Sequence, residues 1–468
     1  MITQPTTVTE LLTPQDQPHH SLPPRIAGWP LINALPSLLQ QQCDFLTNTR
    51  AQYGDIYTLD LGVFKAIMLN HPAHVQHVLR DQARNYVKGG RLYQILGEIF
   101  GNGLPFSEGD FWLRQRRLLQ PQFHRQRLMG LTDLMLDASE AGLAVWERYG
   151  DRPVNLTDAF SALTVRIITR IMFGSEVAQH EIDHAAQAVT YLNHAIMPAM
   201  LTRSLPAWFP TPGARRFREA VQTLDDTVYG VIARRQQSTE SDPLATDLIA
   251  LLLDIVDDET GERMSQQQVR DEAVTMFVAG YETTSNALTW AMQLLMQHPD
   301  KLAKLQVEID SVLGQARPTF ASLSQLSYTR MVLLETLRLR PPAWWLSRTT
   351  VADDVIDGYH IPAGSTVILP IYATHHHPDF WAAPAAFEPE RFSPEQAKER
   401  HPFAWVPFGA GQRLCIGRDL ALMEGQLILA LALQRYRFTP VAQKPIQPQL
   451  ASTLVAKGGV WAQITPRS

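Results

Sequence analysis

Phe408-Gly409-Ala410-Gly411-Gln412-Arg413-Leu414-Cys415-Ile416-Gly417 carries one of only two cysteines in a chain of 468 residues. Arg413 stands two positions before the thiol and Gly417 two positions after it. Downstream, Leu420, Met423, Leu427 and Leu431 recur at helical spacing. A thiol placed where a Gly-rich turn feeds a helix N-terminus meets unpaired backbone N–H groups and the positive end of the helix dipole, which favour the thiolate. A lone cysteine is otherwise a small buried apolar side chain. The bracketing glycines, Phe408 and Arg413 point instead to a thiolate presented by a loop to a metal.

The remaining composition narrows the class. Apolar residues make up 45% of the chain and charged ones 19%, with a net charge of -5 and no basic block, which excludes nucleic acid as a partner. Cys43 and Cys415 offer neither a disulfide framework nor zinc spacing, and no Cys-x-x-Cys-His occurs for covalent haem attachment. Residues 1–28 are polar and proline-rich, unlike a signal peptide. No apolar run approaches the ~20 residues of a spanning helix. The expectation is a soluble, cytoplasmic monomer with no membrane anchor.

Prolines 5, 14, 18, 23, 24 and 30 make residues 1–35 an irregular arm, and no linker divides residues 36–468, a single domain. Residues 55–70 alternate as a strand pair around Gly62, and from Pro72 to Leu339 the chain reads as helices with short connections. After Val351 short strands take over. Residues 358–364 form a turn-rich hairpin, 366–370 a strand, and Lys457-Gly458-Gly459 a hairpin turn. The fold class is mainly α with a smaller β region (α+β). The longest helix starts at Ser265, where Gln268 completes a capping box, and runs to about Gln297 before Pro299. At 1.5 Å per residue it is about 48 Å long and, being mostly apolar, central.

That helix contains Ala279-Gly280-Tyr281-Glu282-Thr283-Thr284. Met276, Ala279, Gly280, Thr283 and Ala287 share a face whose small residues leave room for a flat ligand. Thr283 can bond back to the Ala279 carbonyl, and Glu282 lies about 100° round the helix. An acid beside a hydroxyl suits proton delivery, although the same stretch also reads as a packing notch with a solvated glutamate. Three further patterns carry charge: Glu335-x-x-Arg338, Arg391 within Pro389-Glu390-Arg391-Phe392, and Trp112-x-x-x-Arg116 on one helix face. Arg391 could complete a network with Glu335 and Arg338.

Taken in order, these five patterns resemble the cytochrome P450 family over roughly residues 54–438. The resemblance implies a fold with haem b between the long central helix and the cysteine loop and its helix. It implies that Cys415 is the axial iron ligand, with Phe408 packed over the loop and Gly411 allowing its turn. Gly417 would let the next helix approach, and Ala279 and Gly280 would line the haem's other face. Arg413, Trp112, Arg116 and Arg348 would hold the propionates. Glu335, Arg338 and Arg391 would brace the site from behind. Thr283 and Glu282 match the family's alcohol and acid for O2 activation, with electrons from NAD(P)H reaching the haem through a ferredoxin or flavodoxin and its reductase. Relatives that use peroxide directly tend to lack this pair. The alternatives are a peroxygenase or isomerase on the same fold, or a non-catalytic haem or lipid binder. His375-His376-His377 falls where relatives have a surface connection.

The segments expected around the substrate are 86–106, 192–209, 343–346 and 451–456. Ala343-Trp344-Trp345-Leu346 is an apolar wall with no charge for a substrate carboxylate, which suits a terpene, fatty acyl or polyketide-like lipophile. Arg91 and Tyr93 are the nearest anchors for a fatty acid. Arg114, Arg117, Arg125, Arg127 and Arg418 are candidates for a basic face around Cys415 that docks an acidic electron carrier.

Overall fold

The structure, a computed structural model, describes residues 20–28, 41–62, 64–174, 177–202, 213–237, 247–441 and 446–467. Of the expected irregular arm it describes 20–28, and there Arg25–Ile26 (β1) is a strand. β1 runs parallel to Ile56–Asp60 (β2), pairing Arg25 with Thr58. β2 turns at Gly62, where φ is +80°, into antiparallel Lys65–Leu69 (β3), the expected strand pair. With Tyr86–Val87 (β4), Leu346–Thr350 (β6) and Thr366–Leu369 (β9) they form a sheet ordered β1-β2-β3-β9-β6-β4.

Val154–Asn155 (β5), Tyr436–Pro440 (β10) and Trp461–Pro466 (β13) form a second sheet, ordered β10-β13-β5. Asp354–Ile356 (β7) and Tyr359–Ile361 (β8) form a hairpin turning on Asp357-Gly358, at the start of the stretch expected to turn. Pro448–Leu450 (β11) and Leu454–Ala456 (β12) form another. Lys457-Gly458-Gly459 is therefore not a hairpin turn. It carries the chain from β12 into β13, which belongs to a different sheet, and the hairpin turn lies earlier, at residues 451–453.

Helices make up most of the rest: Gln42–Tyr53 (α1), Gly90–Phe100 (α2), Gly109–Leu119 (α3), Arg125–Leu143 (α4), Leu156–Phe173 (α5), Gln179–Thr202 (α6) and Ala214–Gln237 (α7). They continue as Leu248–Asp254 (α8), Gln266–Gln297 (α9), Pro299–Leu313 (α10), Ser327–Leu339 (α11), Ile371–His375 (α12) and Arg418–Arg435 (α13). α9 is the axis of the molecule. The Ser265 hydroxyl accepts from Gln268 N–H while the Gln268 side chain accepts from Ser265 N–H, so the capping box is formed. Leu288, Trp290, Met292 and Leu295 on α9 are fully buried, each stabilising the fold by about 1.5–3 kcal/mol. One apolar cluster joins the C-terminal half of α9 to α4, α5, α11 and α13, and another joins its N-terminal half to α2, α5, α6 and α7. A cavity of about 1010 Å³ lies between α9 and the loop before α13.

Candidate active site

The cysteine loop is a folded bracket. Cys415 N–H donates to the Phe408 carbonyl at 2.9 Å, and both Gly409 and Gly411 hold positive φ, +69° and +64°. A Cβ on Gly411 would lie 2.0 Å from the Leu79 carbonyl oxygen, so only glycine lets the loop pass that backbone. Gly417 caps α13, and its N–H points at the Cys415 thiol. The thiol opens into the cavity while protein encloses it on every other side. Burial pushes it up; the Gly417 N–H, Arg116 and Arg418 pull it back toward the thiolate. Phe408 packs against Trp405 beside the loop, with Leu337 and Leu422 in the same small cluster.

Across the cavity stands α9. Ala279 and Thr283 open into it, and the Thr283 hydroxyl donates to the Ala279 carbonyl at 2.8 Å, as the sequence predicts. Gly280 lines the cavity too, but its missing Cβ is not ligand space. A Cβ there would sit 2.6 Å from Ile168 Cδ1, so its smallness lets α5 close on α9. Glu282 points elsewhere. It accepts from Thr453 Oγ1 at 2.7 Å and from the Asn193 amide, tying α9 to α6 and to the β11–β12 turn. Burial raises its pKa against those two hydrogen bonds.

At the cavity rim the charges do not balance. Lys88, Arg348 and Arg413 converge there with one carboxylate, Glu108. Arg413 Nη2 pairs with Glu108 Oε2 at 2.6 Å, and its guanidinium lies 3.7 Å from the centre of the Trp112 ring. Arg348 donates to the Ser347 carbonyl. Burial first, then the two guanidiniums, drive the Lys88 ammonium well below its usual value. Three basic side chains against one carboxylate leave an excess of positive charge, and a dianion with a flat apolar body would hold Lys88 protonated and restore neutrality. Facing a thiol and an open Ala–Thr helix groove, this arrangement fits haem with its two propionates. Lys88 escapes sequence reasoning because an isolated lysine after a short strand carries no pattern. Arg116, by contrast, turns to the thiol side, donating to the Leu414 carbonyl at 3.0 Å.

Behind the site, Arg338 and Glu335 form a bidentate pair at 2.7 and 2.8 Å with both side chains fully buried. Arg338 also donates to the carbonyls of His375, Pro384 and Ala386. Arg391 Nε lies 3.5 Å from Glu335, completing the expected trio. Of the histidine run, His375 and His377 are fully buried and His376 half-buried, so it is not a surface connection. His375 Nε2 accepts from Val406 N–H at 2.8 Å and its Nδ1 faces the Arg338 carbonyl, while His377 pairs with Asp55. His375 thus couples the Glu335–Arg338 pair to the strand of chain entering the cysteine loop.

Ala343, Trp345 and Leu346 line the cavity. Trp344 does not; it stacks on Trp345 and donates to the Ala451 carbonyl. Tyr93 lines the cavity with its hydroxyl on the Ser347 carbonyl, Ile196 and Ser452 contribute from two other expected segments, and residues 203–209 lie outside those described. The expected basic face is partly spent. Arg114 and Arg117 both bind Asp257, whose side chain is fully buried, and also reach Glu262 and Glu259. No helix among the described residues is long and apolar enough to cross a membrane.

A family model described as Cytochrome P450 matches residues 23–461. Cyclooctatin synthase of Streptomyces melanosporofaciens is 35% identical over 440 residues, 93% of this chain and 94% of that protein. Cyclooctat-9-en-7-ol 5-monooxygenase of the same organism is 34% identical over 413 residues, 88% of each. The crystal structure of the cytochrome P450DA heme domain superposes with a TM-score of 0.86 at 28% identity, covering 96% of this chain and 98% of that one.

Proposed function

The chain belongs to the cytochrome P450 family of haem-thiolate monooxygenases, and from that premise we propose that it hydroxylates a neutral, terpene-like lipophile. Three residues support the substrate reading most directly: Ala343, Trp345 and Leu346 give the cavity an apolar wall. The basic side chains at the rim suit the two propionates, and Ala343, Trp345 and Leu346 offer no charge for a fatty carboxylate. The names of the two Streptomyces relatives point the same way, since one acts on cyclooctat-9-en-7-ol.

Cys415 would hold the iron, with Lys88, Arg348 and Arg413 on the propionates and Trp112 beneath Arg413. A metal-bound thiol is deprotonated outright, which overrides the upward push of burial on Cys415. When bound, thiolate-ligated haem supplies O–O cleavage, because the sulfur pushes electron density onto iron. The Thr283 hydroxyl, with its proton on Ala279, keeps its lone pairs free toward the cavity to accept a proton in transit. Glu282, adjacent but turned outward, serves as the proton reservoir. General acid catalysis of this kind contributes about 10²–10⁴-fold. Ala343, Trp345 and Leu346 orient the substrate by shape and exclude water. Electrons would come from NAD(P)H through a reductase and an acidic ferredoxin or flavodoxin docking near Arg125, Arg127 and Arg418. Arg114 is a poor probe of that docking, because reversing its charge would strand buried Asp257.

The reduced carbon monoxide spectrum tests the core of this reading. A red-shifted, thiolate-type Soret band is expected in the wild type and its loss in Cys415→Ala; a histidine-type band would overturn it. Titration with a cyclic diterpene and with a fatty acid of similar length should give a substrate spin shift for the first only. The reverse preference would overturn the substrate class.

A further inference from the structure

The cavity does not end at Cys415. Its lining continues on the thiol side between α4, α11 and α13, with Leu131, Leu333 and Leu420, and includes half-buried Gln122 and exposed His124. In this arm, among apolar walls, lies the Glu424 carboxyl. Glu424 is 5% exposed and its Oε1 has no hydrogen-bond partner. A buried polar atom without a partner costs about 1–3 kcal/mol, so a carboxyl held there on a central helix calls for a use. Seven residues separate it from Gly417 at the helix start, a rise of about 10 Å.

We propose that Glu424 is a proton-binding site linked to electron delivery, with the arm from Gln122 and His124 as its path to bulk water. It rests on the haem-thiolate reading above. Above about pH 8, where Glu424 is ionised while the haem is ferric, reduction of the iron to ferrous by an external one-electron donor is accompanied by uptake of one proton from bulk water onto Glu424. A single O–H bond forms on its carboxylate, and the added electron and added proton balance in charge. The coupling is electrostatic, across an apolar arm where charges are weakly screened.

Glu272 on α9 lines the same cavity and is also pushed up, to about 8, by burial, but it accepts from Leu104 N–H. Glu282 is held by Thr453 and Asn193, Arg270 binds Asp225 and Asp271, and Arg116 faces Leu414. The Glu424→Gln variant is therefore what separates Glu424 from Glu272. On α11, Glu335 and Arg338 are paired with each other, and on α13 Arg418 is paired with Asp419. On α10, Lys301 and Lys304 bind Glu388 and Glu390, Glu308 caps the start of α11, and Asp310 holds Arg467. On α4, Arg125 lies over Phe320, Arg127 holds Gln122, Asp137 binds Arg317 and Glu140 binds Arg435. His124 sits exposed at the mouth, and Asp133 and Arg437 belong to α4 and β10. Burial alone pushes Glu424 up, to about 8, so it is neutral in both redox states below that pH.

Spectroelectrochemistry of the haem-loaded protein across pH tests this. The midpoint potential should be flat below about pH 8 and fall above it, toward 59 mV per pH unit for one electron and one proton. Glu424→Gln, which keeps the shape but cannot titrate, should be flat throughout. A wild type without the slope, or a variant that retains it, overturns the proposal. Should Glu424→Gln fail to bind haem, the wild-type redox-difference infrared spectrum decides. Reduction above about pH 8 should produce a protonated-carboxyl band that shifts in D2O, and its absence overturns the proposal. A thiolate-type carbon monoxide band with no slope would sink the proton site alone, whereas a missing band would sink the monooxygenase reading itself.

Discussion

Gly280 and Gly411 are both glycine because another group occupies the place of their Cβ, but the two occupants differ in how far they can yield. At Gly411 the occupant is the Leu79 backbone carbonyl, 2.0 Å away, and φ is +64°. At Gly280 it is the end of the Ile168 side chain, 2.6 Å away on a helix with ordinary dihedrals. Gly411→Ala should therefore abolish haem loading, read as the ratio of Soret to protein absorbance, and no single compensating change should restore it. Gly280→Ala should cost about 1–3 kcal/mol in urea unfolding and regain most of that in the double variant with Ile168→Ala. A Gly411→Ala protein that loads haem normally would refute the close-approach argument. The sequence makes Gly411 legible as a turn glycine because the motif is local. The reason for Gly280 is not legible, because Ile168 stands over a hundred residues away and nothing near Gly280 announces it. The same holds for Lys88, whose importance comes only from the arginines folded against it.

Among the elements, α9 was readable almost to the residue, since its cap, its apolar content and its stop at Pro299 are all local signals. Its functional acid was readable as a residue but not as a geometry, because Asn193 and Thr453, which fix Glu282, come from α6 and from a hairpin turn. The histidine run failed for a related reason: polar and short, it looks like surface until the pairing of β3 with β9 and the Arg338 carbonyl draw it inside. α11 shows what such burial is worth. Arg338 satisfies Glu335 and three backbone carbonyls with no solvent contact, so a shorter cation cannot reach them all. Removing one member of a buried pair leaves an uncompensated charge and costs about 3–5 kcal/mol. Arg338→Lys keeps the charge but releases buried carbonyls at about 1–3 kcal/mol each, so it should unfold at lower urea and yield mostly haem-free protein, because those carbonyls include that of His375, which holds the entrance to the cysteine loop. A variant that unfolds at the wild-type urea concentration would show that lysine can replace the guanidinium here.

For the whole molecule, that same chain of contacts sets the response to acid. His375 is fully buried; burial first, and then Arg338, depress its pKa to about 3. His376 is driven well down for the same reasons. In the unfolded chain both imidazoles take a proton near pH 6.5. The native state resists that proton, so the unfolded state binds more protons below about 6.5 and stability falls with falling pH down to the folded value. At pH 5 the loss from His375 alone is about 2 kcal/mol. The carboxylates act in a different window. Against the upward push of burial, His377 and Arg50 hold Asp55 down to about 2, and Lys304 and Lys301 hold Glu390 at about 2. Their contribution is intact above the ordinary carboxylate range and is lost only as pH drops below about 4. Between pH 6.5 and 4 the destabilising contribution belongs to the histidines, opposed by Glu272 and Glu424, whose raised carboxyls favour the native state as pH falls from about 8. His375→Asn offers a neutral donor and acceptor at the same place, so its urea midpoint should be lower than the wild type's at neutral pH yet fall less steeply toward pH 5. Parallel pH profiles for the two proteins would mean that His375 does not carry the acid sensitivity of the fold.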